Sequence, residues 1–189
     1  MRIIAGLLRG RKLISPKGTD VRPTSDKVKE AVFSMLLPYM DDDFVAMDVF
    51  TGSGNLGLEA ISRGAKTVYF SDSSRESLKL AKENVKLCGV EDNAVLLLGD
   101  FKANIRRVHD KVKIFLVDPP YADGQIPEVL RAINDAGNLA EGGVVVCEHA
   151  YKDHMPEELC GFHMVKDRRY GAIGVTMYEA GPMPEEDEE

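Results

Sequence analysis

Residues 44–57 read FVAMDVFTGSGNLG, and this stretch decides the fold of the chain. Its first half is a short apolar run typical of a buried strand, and its second half is a glycine-rich turn. A helical pattern follows at once, with apolar side chains at Leu58, Ala60 and Ile61. A strand that passes through a glycine loop into a helix predicts the first unit of an α/β sheet, with a ligand bound at the loop.

The rest of the chain continues the alternation of strands and helices. Four more apolar runs lie at residues 67–71, 94–98, 112–117 and 143–148. Because helical patterns separate these runs, we predict a doubly wound, mostly parallel, Rossmann-like sheet. The last two runs, near residues 160–167 and 173–179, are joined by a short link and predict an antiparallel terminal hairpin. We therefore expect seven strands.

Capping residues predict where two of the helices begin. After Pro23, Thr24 or Ser25 can cap a helix, and Ser73 opens an S-x-x-E capping box. The apolar face of the first helix comprises Val28, Ala31, Val32, Met35 and Leu36; that of the second comprises Leu78, Ala81, Val85 and Cys88. Both faces have the spacing of an amphipathic helix.

The length and composition favour one domain. A chain of 189 residues, 44% of them hydrophobic, can form a single full core. We place that domain at residues 1–181, with residues 1–23 as a basic β-hairpin and loop and residues 182–189 as an acidic disordered tail. We expect neither a membrane span nor a signal peptide, and hence a soluble, cytoplasmic protein. The spacing of the cysteines and histidines predicts no metal site and no disulfide.

The charge is unevenly distributed along the chain. The net charge is −7, but residues 1–30 carry eight basic side chains against three acidic ones, a local charge of +5. Local charge decides where a phosphate backbone can dock. The N-terminal segment is therefore a candidate nucleic-acid contact, although ordinary surface lysines and arginines remain an alternative.

Acidic side chains mark the ends of the next two strands. Asp72 follows the glycine loop by about 20 residues, where a carboxylate can accept hydrogen bonds from both hydroxyls of a ribose. Such an acid is shared by NAD-dependent enzymes and by methyltransferases that use S-adenosylmethionine. Asp100 ends the third strand and is placed to reach an adenine amino group. Each of these two acids can instead cap the helix that follows it.

Asp48 lies within the predicted first strand, two residues before its end. A dinucleotide site does not require an acid there, and a buried carboxylate is costly unless it is paired or hydrogen-bonded. We expect Asp48 to order the glycine loop or to meet the cationic amino group of a ligand. This expectation favours S-adenosylmethionine over NAD.

The fourth strand ends in the tetrapeptide Asp118-Pro119-Pro120-Tyr121. Its two prolines remove two backbone donors, so the Asp118 side chain and the Pro119 carbonyl can accept both hydrogens of an amino group. Tyr121 offers a ring on which a flat base can stack. Holding both hydrogens aims the nitrogen lone pair at a sulfonium methyl group, and Asp118 can take the released proton. The tetrapeptide predicts a seat for the amine of an unpaired or flipped-out nucleobase.

These segments together resemble the class I methyltransferases that act on amino nitrogens, and among them the RsmD-type guanine-N2 methyltransferases of 16S ribosomal RNA. The resemblance covers nearly all of residues 1–180, and its N-terminal markers are the most specific. The markers are Arg2-Ile3-Ile4-Ala5-Gly6, Arg9-Gly10-Arg11-Lys12-Leu13, Arg22-Pro23-Thr24, Glu30-Ala31-Val32-Phe33, Thr51-Gly52-Ser53-Gly54, Leu56-Gly57-Leu58-Glu59-Ala60, Asp118 to Tyr121 and Tyr170-Gly171.

The resemblance implies a set of site residues. Those expected to bind S-adenosylmethionine are Thr24, Asp48, Thr51, Gly52, Gly54, Asp72, Ser73, Asp100 and Phe101, with Thr24 near the methionine end. Those expected to hold the guanine are Asp118, Pro119, Pro120 and Tyr121, and those expected to contact RNA are Arg2, Arg9, Arg11, Lys12 and Arg22. The chain departs from the family at Asp72, where Glu is usual, and at Thr51, where Ala or a similar residue is usual.

We therefore predict methyl transfer to N2 of a guanine in 16S ribosomal RNA. The acidic body suggests weak binding to bare RNA and favours a partly assembled small subunit as the substrate. Three alternatives remain open. A nicotinamide-dependent oxidoreductase leaves the tetrapeptide unexplained; an amino-nitrogen methyltransferase could act on adenine in DNA or on another RNA; and a non-catalytic RNA-binding assembly factor would not need an intact Asp118.

Overall fold

The structure, a computed structural model, describes residues 1–18, 24–120, 124–182 and 184. Within these ranges the strands are β1 (Val45–Asp48), β2 (Thr67–Asp72), β3 (Ala94–Leu98), β4 (Val112–Val117), β5 (Leu139–Ala150), β6 (Glu158–Leu159), β7 (Phe162–Tyr170) and β8 (Ile173–Ala180). They form one sheet in the order β3-β2-β1-β4-β5-β8-β7-β6. The first five strands pair in parallel, and the remaining pairs are antiparallel.

Helices pack on both faces of this sheet. In the described ranges they are α1 (Asp26–Leu36), α2 (Asn55–Ser62), α3 (Arg75–Cys88), α4 (Phe101–Arg107) and α5 (Gln125–Ala136). Successive strand residues point to opposite faces. Ala46 and Leu116 accordingly pack in a core with α1, α2 and α3, whereas Met47 and Phe115 pack in a second core with α4 and α5. The predicted doubly wound α/β fold is confirmed.

The sheet differs from the prediction in two places. It has eight strands in the described ranges rather than seven, because β6 adds two residues that pair with the start of β7. The first strand ends at Asp48 rather than at Phe50. The N–H of Val49 still donates to the carbonyl of Leu116 (3.0 Å), and the chain then leaves the sheet to form the glycine loop. Asp48 is thus the last residue of its strand and not an interior one.

Both predicted helix faces are confirmed, and one cap is shifted. The Ser25 hydroxyl accepts a hydrogen bond from the N–H of Val28 (3.2 Å) and caps α1. The capping-box prediction at Ser73 is wrong by one residue, because the hydroxyl that accepts from the N–H of Ser77 (3.2 Å) belongs to Ser74. Ser73 instead lies in the turn that Asp72 closes by accepting from the N–H of Ser74 (2.9 Å).

The N-terminal segment, residues 1–18, lies against α2 and α3. The predicted β-hairpin is present as a short antiparallel pairing centred on the bridge between Arg2 and Lys12. The N–H groups of Ile3 and Leu13 donate across it to the carbonyls of Arg11 (2.9 Å) and Met1 (3.1 Å), and other N–H groups bond to the helices. The N–H groups of Leu7 and Leu8 donate to the carbonyl and the hydroxyl of Ser62, each at 2.9 Å. The segment is therefore tied to the body of the protein.

A buried ion pair connects α1, α2 and the N-terminal segment. Lys29 and Glu59 are both fully buried, with Nζ 3.2 Å from Oε2. The Lys29 ammonium also donates to Oδ1 of Asn55 (2.8 Å), and the Glu59 carboxylate accepts from the N–H groups of Ile4 (2.9 Å) and Ala5 (3.1 Å). Burial lowers the pKa of Lys29, and the Glu59 carboxylate opposes that effect. This network holds the start of α1 in place.

Three predicted features lie outside the described residues: Arg22, Tyr121 and the acidic stretch at residues 185–189. Of the helices that the structure does describe, none combines the length and the apolar character needed to span a bilayer.

Candidate active site

A cleft of about 810 Å³ opens at the carboxyl ends of the parallel strands. Ligands bind at this edge in open α/β sheets, and the volume suits a nucleoside-sized ligand. The predicted site residues in its wall are Thr24, Asp48, Thr51, Gly52, Asp72, Ser73, Asp100, Phe101, Asp118 and Pro120. Gly54 lies just behind the wall as the N-cap of α2, and Pro119 lies beside it, half-buried. The fold thus brings the predicted cofactor-binding residues together with Asp118, Pro119 and Pro120 of the tetrapeptide.

The glycine loop is held in shape from both ends. Gly52 and Gly54 have φ angles of 54° and 85°, which glycine adopts without the strain that a Cβ would bring. The N–H of Gly52 donates to Oδ2 of Asp72 (2.9 Å), and the hydroxyl of Thr51 donates to the carbonyl of Asp48 (3.1 Å). Strand-end side chains therefore fix the loop against β1 and β2.

Asp48 lies at the base of the loop and is almost completely buried. Its Oδ2 accepts from the N–H of Gly57 (3.0 Å) at the start of α2. Its Oδ1 is buried and has no hydrogen-bond partner among the described residues. The pKa of Asp48 is raised to about 7, mainly by burial; the Gly57 N–H opposes this effect, and the Asp118 and Asp72 carboxylates add to it. Oδ2 thus orders the loop. Oδ1 can accept a hydrogen bond from a cationic ligand, which would offset the cost of its burial.

The predicted seat at Asp118 contains a second acid that sequence reasoning missed. The hydroxyl of Thr24 lies 3.3 Å from Oδ2 of Asp118 and 3.3 Å from Oε1 of Glu148. Glu148 is in β5, and only 9% of its surface is exposed. It could have been found, because it ends the apolar run at residues 143–148, just as Asp72 and Asp118 follow theirs.

The pKa values of both acids at the seat, Asp118 and Glu148, are raised. Burial raises the pKa of Glu148, and repulsion from the Asp118 carboxylate raises it further. Burial also raises the pKa of Asp118, against the effect of its hydrogen bond with Thr24. Since one hydroxyl proton can be donated to one carboxylate at a time, the pair retains unused acceptor capacity.

The cleft wall is strongly acidic. It includes Asp48, Asp72, Glu76, Glu83, Asp100 and Asp118, with lysines at positions 17 and 79. In a dinucleotide site the loop N–H groups receive a pyrophosphate, whereas here carboxylates accept from the N–H groups of Gly52 and Gly57. This wall repels phosphates and attracts cations. The charge argues against the nicotinamide-dependent oxidoreductase.

Comparison with known proteins places the chain in a family. A family model described as Conserved hypothetical protein 95 matches residues 1–179. Over 188 residues, the chain is 30% identical to "Ribosomal RNA small subunit methyltransferase D" of Escherichia coli (strain K12), which covers 99% of this chain and 93% of that protein. The chain belongs to the RsmD-type methyltransferase family.

Two further matches are of similar extent. The protein named "Putative rRNA methyltransferase YlbH" of Bacillus subtilis (strain 168) is 36% identical over 95% of this chain and 98% of that protein. The solved structure titled "Putative methyltransferase yhhF from Escherichia coli" superposes with a TM-score of 0.82 at 28% identity, covering 96% of this chain and 98% of that one. The fold and the family predicted from the sequence are both confirmed.

The two departures from the usual RsmD-type pattern have local explanations. Asp72 reaches back to the glycine loop, with Oδ2 on the N–H of Gly52 and Oδ1 on the N–H of Ser74, and it still faces the cleft. Thr51 uses a hydroxyl that alanine lacks to bond the carbonyl of Asp48. Both departures add hydrogen bonds within the loop.

The far end of the cleft is aromatic. The rings of Phe50 and Phe101 lie with centroids 5.4 Å apart and both line the wall. Asp100, exposed beside them, accepts from the N–H of Lys102 (3.0 Å) and caps α4, which confirms the alternative interpretation of Asp100 as a helix cap. Phe50 was not predicted as a site residue, because it was counted within the first strand.

The predicted RNA-contact residues of the N-terminal segment differ in whether their side chains already bond to other parts of the protein. Arg9 and Lys12 are exposed. Arg2 pairs with Asp26 (2.9 Å), and the guanidinium of Arg11 donates to the carbonyl of Leu87 (2.9 Å). The segment continues to Lys17, which is in the cleft wall. Basic side chains therefore lead from the surface to the cleft.

Proposed function

We propose that this RsmD-type chain transfers a methyl group from S-adenosylmethionine to the exocyclic N2 of a guanine in 16S ribosomal RNA. One observation carries the proposal: Asp118 follows β4, ahead of two prolines, in the wall of the cleft that the glycine loop and Asp72 shape. A seat for an amine thus adjoins a site for a nucleoside cofactor. The names of the relatives, small subunit methyltransferase D among them, support ribosomal RNA as the substrate class.

The residues of the cleft fit S-adenosylmethionine. The unpartnered Oδ1 of Asp48 suits an ammonium group, and Asp72 would hold the ribose hydroxyls. Phe50 and Phe101 would stack on the adenine, and Asp100 would accept from its amino group. The cofactor supplies its methyl group on a cationic sulfonium sulfur, a charge that the acidic wall favours over neutral or anionic ligands.

The seat supplies orientation and a proton acceptor. Asp118 and the carbonyl of Pro119 would accept the two amine hydrogens, which directs the nitrogen lone pair away from the ring plane. As the N–C bond forms, an amine proton must leave, and Asp118 is placed to receive it. Burial raises the pKa of Asp118 towards neutrality, which suits a general base.

The substrate is RNA in which the target base is accessible. A base within a helix cannot reach a seat at the end of a strand, so the guanine must be unpaired or flipped out. The exposed Arg9 and Lys12 would hold the phosphate backbone beside the cleft. Because the net charge of the chain is −7, we expect additional contacts from ribosomal proteins, and hence better activity on a partly assembled small subunit than on bare RNA.

The proposal is tested by transfer of labelled methyl groups from S-adenosylmethionine to small-subunit RNA and particles from cells that lack this protein. We expect label in the wild-type reaction, more on particles than on bare RNA, and loss of label with Asp118→Ala. Cofactor binding, read as a rise in Tm with S-adenosylmethionine, should persist in that variant. A protein that binds the cofactor but labels neither substrate would contradict the proposal, and one that shows no Tm rise would support a non-catalytic assembly factor.

A further inference from the structure

We propose that Glu148 accepts a hydrogen bond from N1–H of the target guanine, beside the N2 amine that Asp118 holds, and so selects guanine over other bases that carry an amino group. The inference rests on the proposed function and deepens it. Its basis is the position of Glu148, its burial and its shortage of donors.

The strand register brings the two acids together. Val117 of β4 pairs with Cys147 of β5, so Asp118 and Glu148 follow at the same level on neighbouring parallel strands. Val117 and Cys147 both pack in the core beneath α4 and α5. The next side chain on each strand must point to the opposite face, the face of α1. Thr24 meets both acids there, one residue before the cap of α1.

The pair has more acceptors than the protein fills. Among the described residues, the Thr24 hydroxyl is the polar partner of both the Asp118 and the Glu148 side chains. A buried carboxylate with so few donors is costly to fold. The half-buried Asp118 beside Glu148 increases this cost, because their mutual repulsion adds to the effect of burial on the pKa of Glu148. Such an arrangement is useful where a ligand brings several N–H donors.

Guanine presents that set of donors on one edge. Its N1–H lies next to its N2 amine, so two neighbouring carboxylates can both accept from it. The amino groups of adenine and cytosine lie next to a ring nitrogen that is itself an acceptor, and a carboxylate facing it would be repelled. Ionised Glu148 therefore adds to the attraction for guanine and repels the alternatives.

A divalent cation is another ligand that paired carboxylates attract. In the part of the chain that the structure describes, no three His, Cys, Asp or Glu side chains are arranged to hold a metal ion. The side-chain hydroxyl between the two acids is a better match for a ligand that is read by hydrogen bonds.

The experiment replaces the mapped target guanine by 2-aminopurine, which keeps the 2-amino group but has an acceptor at N1. We expect the wild type to prefer guanine by at least about 100-fold in kcat/KM. The Glu148→Gln variant can turn its amide to donate to N1 of 2-aminopurine. Its preference for guanine over 2-aminopurine should therefore be smaller than that of the wild type by about tenfold or more. Glu141→Gln, the same change at an exposed position of β5, is the matched control and should keep the wild-type preference. Since 2-aminopurine also lacks O6, 6-thioguanine, which keeps N1–H, should remain a substrate.

Each outcome bears on a separate claim. A wild type that methylates 2-aminopurine as well as guanine overturns the proposal without any variant. If Glu148→Gln lowers kcat/KM for guanine and for 2-aminopurine by the same factor, the proposal is also overturned, and Glu148 has a structural role. The fluorescence of 2-aminopurine, which rises when the base leaves the stack, should increase more with Glu148→Gln than with the wild type. If the wild-type product from guanine RNA is not N2-methylguanosine, the proposed function has failed independently.

Discussion

Glu148 of β5 lies at the same level as Asp118, which follows the neighbouring parallel strand β4, and the Thr24 hydroxyl lies 3.3 Å from a carboxylate oxygen of each. Burial raises the pKa of both acids. In the absence of substrate, a proton therefore remains on the pair to a higher pH than on ordinary carboxyl groups. A substrate edge that donates hydrogen bonds favours the deprotonated forms, which couples binding of the base to release of that proton.

The pH profile of methyl transfer should show this coupling. Asp118 and Glu148 accept hydrogen bonds from the substrate when they are deprotonated. Because their pKa values are raised, the deprotonated fraction falls as the pH is lowered. We expect kcat/KM to rise with pH through the apparent pKa of the pair and then to level off. Initial rates across a pH series at constant ionic strength measure it. A profile that is flat on the acidic side would contradict the assigned roles.

Thr24→Val should move that profile. The Thr24 hydroxyl lowers the pKa of both acids by hydrogen bonding to them. Without it the acidic limb of kcat/KM should shift to higher pH, so that the loss of activity is large at acidic pH and shrinks at alkaline pH. Thr67→Val, at the start of β2 on the other edge of the strands, is the control. An equal loss at every pH would instead indicate a general defect in the site.

Asp48→Asn should change stability and cofactor binding in opposite directions. The Asp48 pKa rises from 3.8 to about 7 on folding, so Asp48 lowers the stability of the free protein progressively between these two pH values, and the loss is complete above the folded value. At neutral pH and above, the amide should raise stability by roughly 1–4 kcal/mol. It should also weaken S-adenosylmethionine binding, because the ammonium group loses its carboxylate. Tm with and without cofactor checks both effects, with Asp42→Asn on the surface as control; a Tm below that of the wild type without cofactor would refute the expectation.

Glu59→Gln should destabilise the protein and loosen its N-terminus. The change leaves the Lys29 ammonium buried without its carboxylate, and breaking a buried pair in this way costs about 3–5 kcal/mol. Urea unfolding gives the loss of free energy, and proteolysis of residues 1–18 should accelerate. Glu30→Gln, at an exposed position one residue from Lys29, should be nearly neutral. If Glu59→Gln is as stable as that control, the network does not hold the segment.

The N-terminal charges should govern the salt dependence of RNA binding. Replacing Arg9 and Lys12 together by Gln should weaken binding and lower the slope of log K against log salt by about one for each phosphate that is no longer neutralised. Lys66→Gln, at the amino end of β2 and away from the cleft, should leave the slope unchanged. The slopes are obtained by measuring the affinity of each variant for particles at several salt concentrations. An unaltered slope in the double variant would place the RNA-binding surface elsewhere.

Much of the site could be predicted because it follows from local order in the sequence. A parallel sheet places every strand end at one edge, so the order of the strands alone puts Asp72, Asp100 and Asp118 beside the glycine loop. Glu148 obeys the same rule on the fifth strand. It was missed because the tetrapeptide at the end of the fourth strand already supplies an acid for the amine, and nothing in the local sequence shows that two acids meet there.

Other features depended on contacts between distant parts of the chain. The pairing of Lys29 with Glu59 joins two helices that are separate in sequence, and each residue alone has the appearance of an ordinary surface charge. The N-terminal hairpin was predicted, but its attachment to α2 was not, because the bonds from the N–H groups of Leu7 and Leu8 to Ser62 join parts of the chain that are far apart in sequence. The shift of the α3 cap from Ser73 to Ser74 reflects competition from Asp72 for the same turn.

We propose above all that Asp118 holds the N2 amine of one guanine in 16S ribosomal RNA. The most direct measurement is mass spectrometry of nucleosides and of mapped fragments of small-subunit RNA from cells that lack this protein, complemented with the wild type or with Asp118→Asn. We predict that N2-methylguanosine at one position is missing without the protein, returns with the wild type and stays absent with Asp118→Asn. Return of the mark with Asp118→Asn at the wild-type level, or a missing mark on a base other than guanine, would contradict the claim.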